Sequence, residues 1–369
     1  MSNIQSIDLL RVSVPFETNG PRNGLRPGMA TWTKMEAMMV RVNTTDGISG
    51  WGEAFGHFVN PGTFATLQGM VAPWFIGKDS RAIASLLDQA ERTFAGFGRG
   101  GPTRYALSAI DIALWDIAGQ RAGQPLFRML GGQQAGIGLY ASLVRYADPE
   151  AIARNARAAE AAGYAQIKLH EATIPNFMAA REALKPATAV SLDVNTPWTV
   201  DEARAIARAI KEKNFAWLEE PVWPPEDFAG IARVRAEGMI IAAGENVGNL
   251  HEFRAFFEAG ALDVAQPSVI KIGGISDMRK VMALAEAHSV RVVPHCFYWG
   301  PGYNASAHLI AAQARPALLE TAYIQLEDAV NPTFNPNSGK LTLPETPGLG
   351  FTPNPAALEK YTIARATVG

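Results

Sequence analysis

Only one cysteine, Cys296, occurs in 369 residues. That excludes an internal disulfide framework and fits a reducing compartment. Charge is also scarce: 18% of residues are Asp, Glu, Lys or Arg, and the formal net charge is -2. So weak a balance gives no reason to expect nucleic acid or an anionic membrane as a partner. No apolar stretch is long enough to span a bilayer. The start, Met1-Ser2-Asn3-Ile4-Gln5, lacks the charged and apolar regions of a secretory leader. A cytoplasmic location is therefore the expectation. No glycine-rich dinucleotide turn follows any strand-like run, which argues against a nucleotide-binding doubly wound sheet. Apolar residues make up 48% of the chain, an ordinary globular content. The length suits a barrel plus a smaller partner domain.

The first hundred-odd residues differ from the rest. Ile7–Val14 alternates loosely, Ala37–Val42 is rich in β-formers, and Asp46-Gly47 before Ile48–Glu53 is a hairpin signal. The segment from Asn19 to Gly28 is rich in turn formers and too long for a tight connection. Asp79 or Ser80 reads as the N-cap of a helix, and Tyr105–Ala122 carries a helical apolar stripe. From about 135 to 325 short apolar runs alternate with alanine-rich amphipathic stretches, the pattern of a parallel α/β barrel. The expected boundaries are an α+β capping domain over 1–125, a barrel over 126–330, and a segment over 331–369 that packs back on the cap.

Three carboxylates carry the argument for chemistry. Asp193, Glu219 and Glu245 each end an apolar run and recur at about 25 residues, the length of one βα unit. In a barrel such ends converge on one face, where three acids can meet around one hard cation. The second strand offers Lys168 and His170, two apart and so on one side of the strand. By the same count the third adds Asn195 to Asp193, the sixth offers Ser268, the seventh His295 and the eighth Glu320. Glu220 falls on the opposite side, Lys271 lies past its strand end and His288 sits in an amphipathic helix. Those three read as structural.

Longer motifs point to a family. Ala106–Gly119, Gly123-Gln124-Pro125-Leu126, Trp217-Leu218-Glu219-Glu220-Pro221, Gly244-Glu245-Asn246, Lys271-Ile272-Gly273-Gly274 and Leu343–Gly350 together resemble the enolase superfamily, closest to its mandelate racemase-like subgroup. The resemblance implies a modified (β/α)7β TIM barrel with an N-terminal α+β capping domain. It implies Mg²⁺, with Mn²⁺ as an alternative ion, held at Asp193, Glu219 and Glu245. It also implies abstraction of the proton beside a substrate carboxylate, giving a metal-stabilised enediolate.

Two departures from the subgroup's pattern matter. Lys-x-Lys is common on the second strand, and this chain has Lys168-x-His170. By position His170 resembles the base, with Lys168 assisting carboxylate binding and keeping His170 neutral through like charge, and imidazole already titrates near neutrality. The sixth-strand position usually holds an Asp that pairs with the seventh-strand His, and here it is Ser268. His295 is then a weaker base, suited to protonating a leaving group, with Ser268 in a position to orient it. Glu320 matches an acid-type hydrogen-bond donor. The expected reaction is dehydration of a sugar acid or related hydroxy carboxylic acid. A racemase, epimerase or cycloisomerase is the runner-up, and a metal-binding pseudoenzyme the third reading. Arg22, Arg26, Trp51 and His57 of the capping loops, with Asn195 and Ser268, are the candidate contacts to a small carboxylate substrate. The arginines would suit a second carboxylate. A homo-oligomer is expected because symmetric assembly is common.

Overall fold

The computed structural model describes residues 2–26, 28–133 and 136–369. Strands β1 (Ile4–Glu17), β2 (Lys34–Thr44) and β3 (Ser49–Ala54) form an antiparallel sheet. Gly47 at φ 83° supplies the turn between β2 and β3. The parallel strands follow: β4 (Gly136–Ser142), β5 (Gln166–Leu169), β6 (Ala189–Asp193), β7 (Trp217–Glu219), β8 (Ile241–Ala243), β9 (Val264–Ala265), β10 (Arg291–Val292) and β11 (Leu319–Ala322). A helix fills each of the intervals between them, which is the (β/α)7β order. The ladder runs β10-β9-β8-β7-β6-β5-β4-β11. At the seam between its two ends the Cys296 backbone N–H donates to Glu320 Oε2 at 2.7 Å. Three later strands return to these sheets: β12 (Gln325–Leu326) and β14 (Thr362–Val368) pair with β1, and β13 (Lys340–Thr342) pairs with β4. Among the described residues no helix is long and apolar enough to cross a membrane.

Two features of this framework place the site. The helix Gly101–Ala122 lies between β3 and the helix Gly274–Ala287 and is buried on most of its circumference. Its approach to β3 is so close that a Cβ at Gly52 would lie 1.9 Å from the Ala109 carbonyl oxygen. On its other side Ser108 Oγ accepts from Gly273 N–H at 2.9 Å, Asp111 accepts from Ser276 N–H at 3.0 Å, and Arg104 Nε donates to the Ile272 carbonyl at 2.8 Å. The turn that carries Lys271 is thereby clamped by the cap. The second feature is the loop after β1. Asn23 Nδ2 donates to the carbonyls of Arg145 and Tyr146 at 3.1 and 2.8 Å, and Tyr146 Oη donates to the Thr18 carbonyl at 2.8 Å. The loop is thus docked on the chain that leaves β4. One sequence-based expectation needs correction: the helix Ile83–Phe94 is preceded by Ala82 with no side-chain cap, because Asp79 is engaged by Arg81.

His308, in the helix Pro301–Ala311, ties three parts of the chain together. Its Nδ1 accepts from the Phe127 N–H and its Nε2–H donates to the Leu349 carbonyl, each at 3.1 Å. Both bonds need the neutral ring, and burial lowers its pKa from 6.5 to about 4. The unfolded chain therefore binds a proton that the folded one refuses between those values. Stability is expected to be full above pH 6.5 and to fall as pH drops toward 4, by on the order of 3 kcal/mol from this group. Denaturant titrations at pH 7 and pH 4.5 check this, and His308→Gln should flatten the slope. An unchanged slope in that variant would remove His308 as its source.

Candidate active site

Asp193 and Glu219 are direct register partners across β6 and β7, and Glu245 follows β8 by two residues. One carboxylate oxygen from each of the three lies within 4.8 Å of the others, and all three residues offer buried oxygens. Burial, reinforced by the Asp193 charge, pushes the Glu219 carboxyl well above its ordinary range. Buried like charges this close need a cation. An all-carboxylate donor set is the chemistry of a hard divalent ion, so these residues can hold one.

Lys168 lies against the same acids. Its Nζ is 3.1 Å from Asp193 Oδ2, 2.8 Å from Glu219 Oε1 and 2.8 Å from Glu320 Oε1. Burial opposes its charge, but Glu219, Glu320 and Asp193 outweigh this and hold its pKa well above that of an ordinary lysine. Burial opposes the charge of Glu320 in turn, but Lys168 overcomes this and holds the carboxyl below its ordinary range; Glu320 Oε1 is in ion-pair contact with Lys168 and Oε2 accepts from the Cys296 N–H. The acid-type donor expected at Glu320 would carry its proton on Oε1, the oxygen that here faces the Lys168 ammonium.

His170 follows β5 directly. Its Nδ1 is 2.5 Å from the Leu143 carbonyl oxygen, so this nitrogen carries the hydrogen and Nε2 is left to exchange a proton. Nε2 lies 3.3 Å from Asp193 Oδ2. Burial and the Lys168 charge lower the basicity of the ring, but the Asp193 charge and hydrogen bond prevail and raise its pKa above 6.5, so Lys168 does not keep His170 neutral as expected. On the other side His295 Nε2 is 2.7 Å from Glu245 Oε2. His295 Nδ1 and Ser268 Oγ are both buried without a hydrogen-bond partner. Ser268 therefore does not orient His295 through a hydrogen bond, contrary to expectation, and no carboxylate supports Nδ1.

The backbone is strained where the acids meet. Asn195, Thr196 and Glu220 adopt φ of 52°, 59° and 47° without being glycine, each at a cost of roughly 1 kcal/mol or more. Asn195 directs both its backbone N–H and its Nδ2 at Asp193 Oδ1, at 3.0 and 2.8 Å. Glu220 does not face away, as strict alternation predicts. The strand ends at Glu219, and the left-handed turn buries the Glu220 carboxylate, which Asn246 Nδ2 holds at 2.9 and 3.0 Å. Burial, with the charges of Glu245 and Asp193, raises its pKa well above the ordinary range.

His170, Asn195, Glu245 and His295 open into a cavity of about 330 Å³. Aromatic side chains form part of its wall: Phe16, Trp32, Phe55, Phe58, Tyr105 and Phe297 line it. Of the four capping-loop candidates, Arg22, Arg26 and His57 line it and Trp51 does not. The Trp51 ring instead packs against Phe351 and under Arg41. Ser268 is likewise not part of the lining. His57, at φ 53°, stands edge-on to both Trp32 and Phe55. Burial, with the positive charges of Lys271 and His295, lowers its pKa to about 4, and its buried Nδ1 has no partner.

Two charged lining residues, Lys271 and Arg145, were not anticipated. Lys271 is nearly buried, with Nζ 3.5 Å from Glu245 Oε1 and 4.1 Å from the centroid of the Phe55 ring. It is not the structural residue expected, because the turn after β9 folds back so that Lys271 N–H donates to the Ser268 carbonyl. Arg145 stands three residues past the end of β4. No sequence periodicity reaches either residue. His288, by contrast, caps the helix Gly274–Ala287 and packs against Phe257.

Comparison with known proteins agrees with this geometry. Residues 11–131 match the mandelate racemase / muconate lactonizing enzyme N-terminal domain, and residues 151–357 match the enolase C-terminal domain-like family. The chain is 30% identical to the 3,6-anhydro-alpha-L-galactonate cycloisomerase of Streptomyces coelicolor, over 93% of this chain and 94% of that protein. It is also 30% identical to the D-galactarolactone cycloisomerase of Agrobacterium fabrum, over 95% of each. The crystal structure of L-talarate dehydratase from Polaromonas sp. JS666, complexed with Mg and L-glucarate, superposes with a TM-score of 0.83 at 25% identity, covering 100% of this chain and 99% of that one. The chain belongs to the mandelate racemase / muconate lactonizing enzyme family of the enolase superfamily.

Proposed function

We propose that this protein is a Mg²⁺-dependent enzyme that eliminates a β-oxygen from a sugar acid or related hydroxy carboxylic acid, acting as a dehydratase. The observation that carries this reading is the asymmetry of the two histidines that face the cavity. His170 has its Nδ1–H fixed on the Leu143 carbonyl, and its Nε2, which here lies against Asp193 Oδ2, is the nitrogen that can take a proton once that carboxylate turns to a bound metal ion. His295 presents Nε2 to a carboxylate and so carries its hydrogen there, and its Nδ1 has no acid behind it. One is placed as a base and the other as a donor. A racemase needs a competent base on both faces of the substrate.

Asp193, Glu219 and Glu245 would hold the Mg²⁺, which when bound supplies positive charge against the substrate carboxylate as a second negative charge develops on it. The remaining steps belong to the chain. His170 Nε2 takes the α-proton, and the electrons of the C–H bond pass into the carboxylate to give an enediolate. Lys168, always charged among its acids, stabilises that charge. Collapse of the enediolate expels the β-oxygen, which takes the Nε2 proton of His295 in its imidazolium form and leaves that ring neutral. The resulting enol becomes a 2-keto acid. Ejection of a ring oxygen instead of water needs the same two histidines. That is the second reading, a cycloisomerase, and two relatives at 30% identity favour it.

A library of acyclic sugar acids and their lactones, incubated with Mg²⁺ in D₂O, separates these outcomes by mass. Loss of water with formation of a 2-keto acid is the expected result. A ring-opened isomer of unchanged composition assigns the cycloisomerase. Deuterium in recovered substrate or its epimer, with no elimination product, would replace both with an isomerase of the racemase type.

A further inference from the structure

The charges lining the cavity are unevenly placed. Among the described lining residues Glu245 is the only carboxylate, and it lies at the metal-binding end. Arg22, Arg26 and Arg145 line the same cavity. Arg22 is turned outward to an exposed ion pair with Glu17. The guanidinium groups of Arg26 and Arg145 have no ion-pair or hydrogen-bond partner among the described residues. Arg26 is exposed on the capping loop and Arg145 is half-buried where the chain leaves β4. Arg26 lies in the loop after β1 and Arg145 in the chain leaving β4, and Asn23 ties that loop to that chain by donating to the Arg145 and Tyr146 carbonyls.

An unpaired arginine on a surface is ordinary. Two that line one cavity with no acid opposite them create a positive potential that low-dielectric aromatic walls intensify. Arginine cannot discharge by losing a proton, and its planar fork matches a carboxylate. Phe16 and Trp32, in edge-to-face contact at 5.0 Å, offer no side-chain acceptor to satisfy those donors.

We infer that Arg145, together with Arg26, forms a binding site for a second carboxylate at the end of the substrate remote from the reacting one, so that the substrate is a dicarboxylic sugar acid or its monolactone. This rests on the proposed function only in placing the reacting carboxylate at Asp193, Glu219 and Glu245. Arg145 is the principal contact because a barrel strand positions it. Arg26 closes on the ligand from the loop. Arg22, held by Glu17, contributes long-range attraction alone.

The test is calorimetric binding of paired acids to the Mg²⁺-loaded protein: aldarates against aldonates of the same chain length and configuration, across several configurations. At least one aldarate should bind about tenfold or more tightly than its aldonate, since charge-assisted bidentate bonds to arginine are the strong class. Arg145→Met should abolish that preference while leaving aldonate binding within about twofold, and Arg145→Lys should keep part of it. Circular dichroism and Mg²⁺ affinity establish that each variant is folded. Equal binding of the paired acids, no aldarate binding across the panel, or equal weakening of both acids in Arg145→Met would each overturn the inference. Failure of the elimination reading has a separate signature. It would show as absence of Mg²⁺-dependent α-proton exchange with acids that bind, and the binding preference would still be measured.

Discussion

Replacing His170 with asparagine is expected to lower both elimination and α-proton exchange by about 10²–10⁴-fold, the contribution of a positioned general base. The companion change, His295→Asn, is expected to do something different. It should suppress elimination by a comparable factor yet leave exchange of the α-proton with D₂O largely intact. The reason lies in the geometry of the two rings. His170 Nε2 is the only one of its nitrogens not committed to a backbone carbonyl, and Asn has no basic nitrogen to replace it. His295 acts after the C–H bond has broken, when the β-oxygen departs. Its loss should leave an enediolate that returns to substrate and collects deuterium. Proton NMR of recovered substrate, with parallel assay of the keto acid, reads both processes in one sample. If His295→Asn stopped exchange as completely as His170→Asn, the division of labour proposed here would be wrong.

Much of this arrangement was legible in the sequence, and the physical reason is periodicity. Strands of a parallel barrel repeat at nearly fixed length and end on one face, so Asp193, Glu219 and Glu245 announce themselves by spacing. Lys168 and His170 follow from alternation along one strand, and both contact Asp193 Oδ2. What escaped lies beyond the last strand residue, where neither rule applies. Glu220 sits one residue past Glu219, and a left-handed φ of 47° turns it inward. Lys271 reaches the cavity because a turn clamped by the helix Gly101–Ala122 folds it back. Arg145 gains its neighbours from a loop more than a hundred residues earlier, through Asn23. Trp51 failed in the opposite sense. A glycine-flanked aromatic in a capping strand looks like a wall for a ligand, but its backbone N–H is fixed to Asp116 and its ring faces Phe351. Contacts made across long separations have no local pattern to read.

Lys168→Met is expected to destabilise the metal-free protein by about 3–5 kcal/mol, the usual effect of removing one partner from a buried ion cluster. In the native arrangement one ammonium serves three carboxylates at 3.1, 2.8 and 2.8 Å, and its side chain is 0% exposed. Methionine of similar length fills the space but leaves Asp193, Glu219 and Glu320 facing one another without a cation. Two of those acids belong to the set that can hold a metal ion. Lysine and metal therefore draw on the same carboxylates, and the consequence is an opposed pair of effects. The variant should be weaker than the parent in EDTA, and it should gain more from Mg²⁺, because no ammonium competes for the Asp193 and Glu219 carboxylates. Saturation at a hundred times the dissociation constant stabilises a one-site protein by about 2.7 kcal/mol, so a tighter site in the variant appears as a larger shift at equal Mg²⁺. Urea titrations of both proteins, each in EDTA and in millimolar Mg²⁺, give the four midpoints required. An apo variant as stable as the parent would mean that these carboxylates shed their charge when the lysine is absent. A reduced response to Mg²⁺ would mean that Lys168 organises the metal site and does not compete with it. The loss of turnover expected in either case would then have a different cause: with Lys168 competing, turnover fails because the enediolate lacks its fixed cation, although the metal is held more tightly.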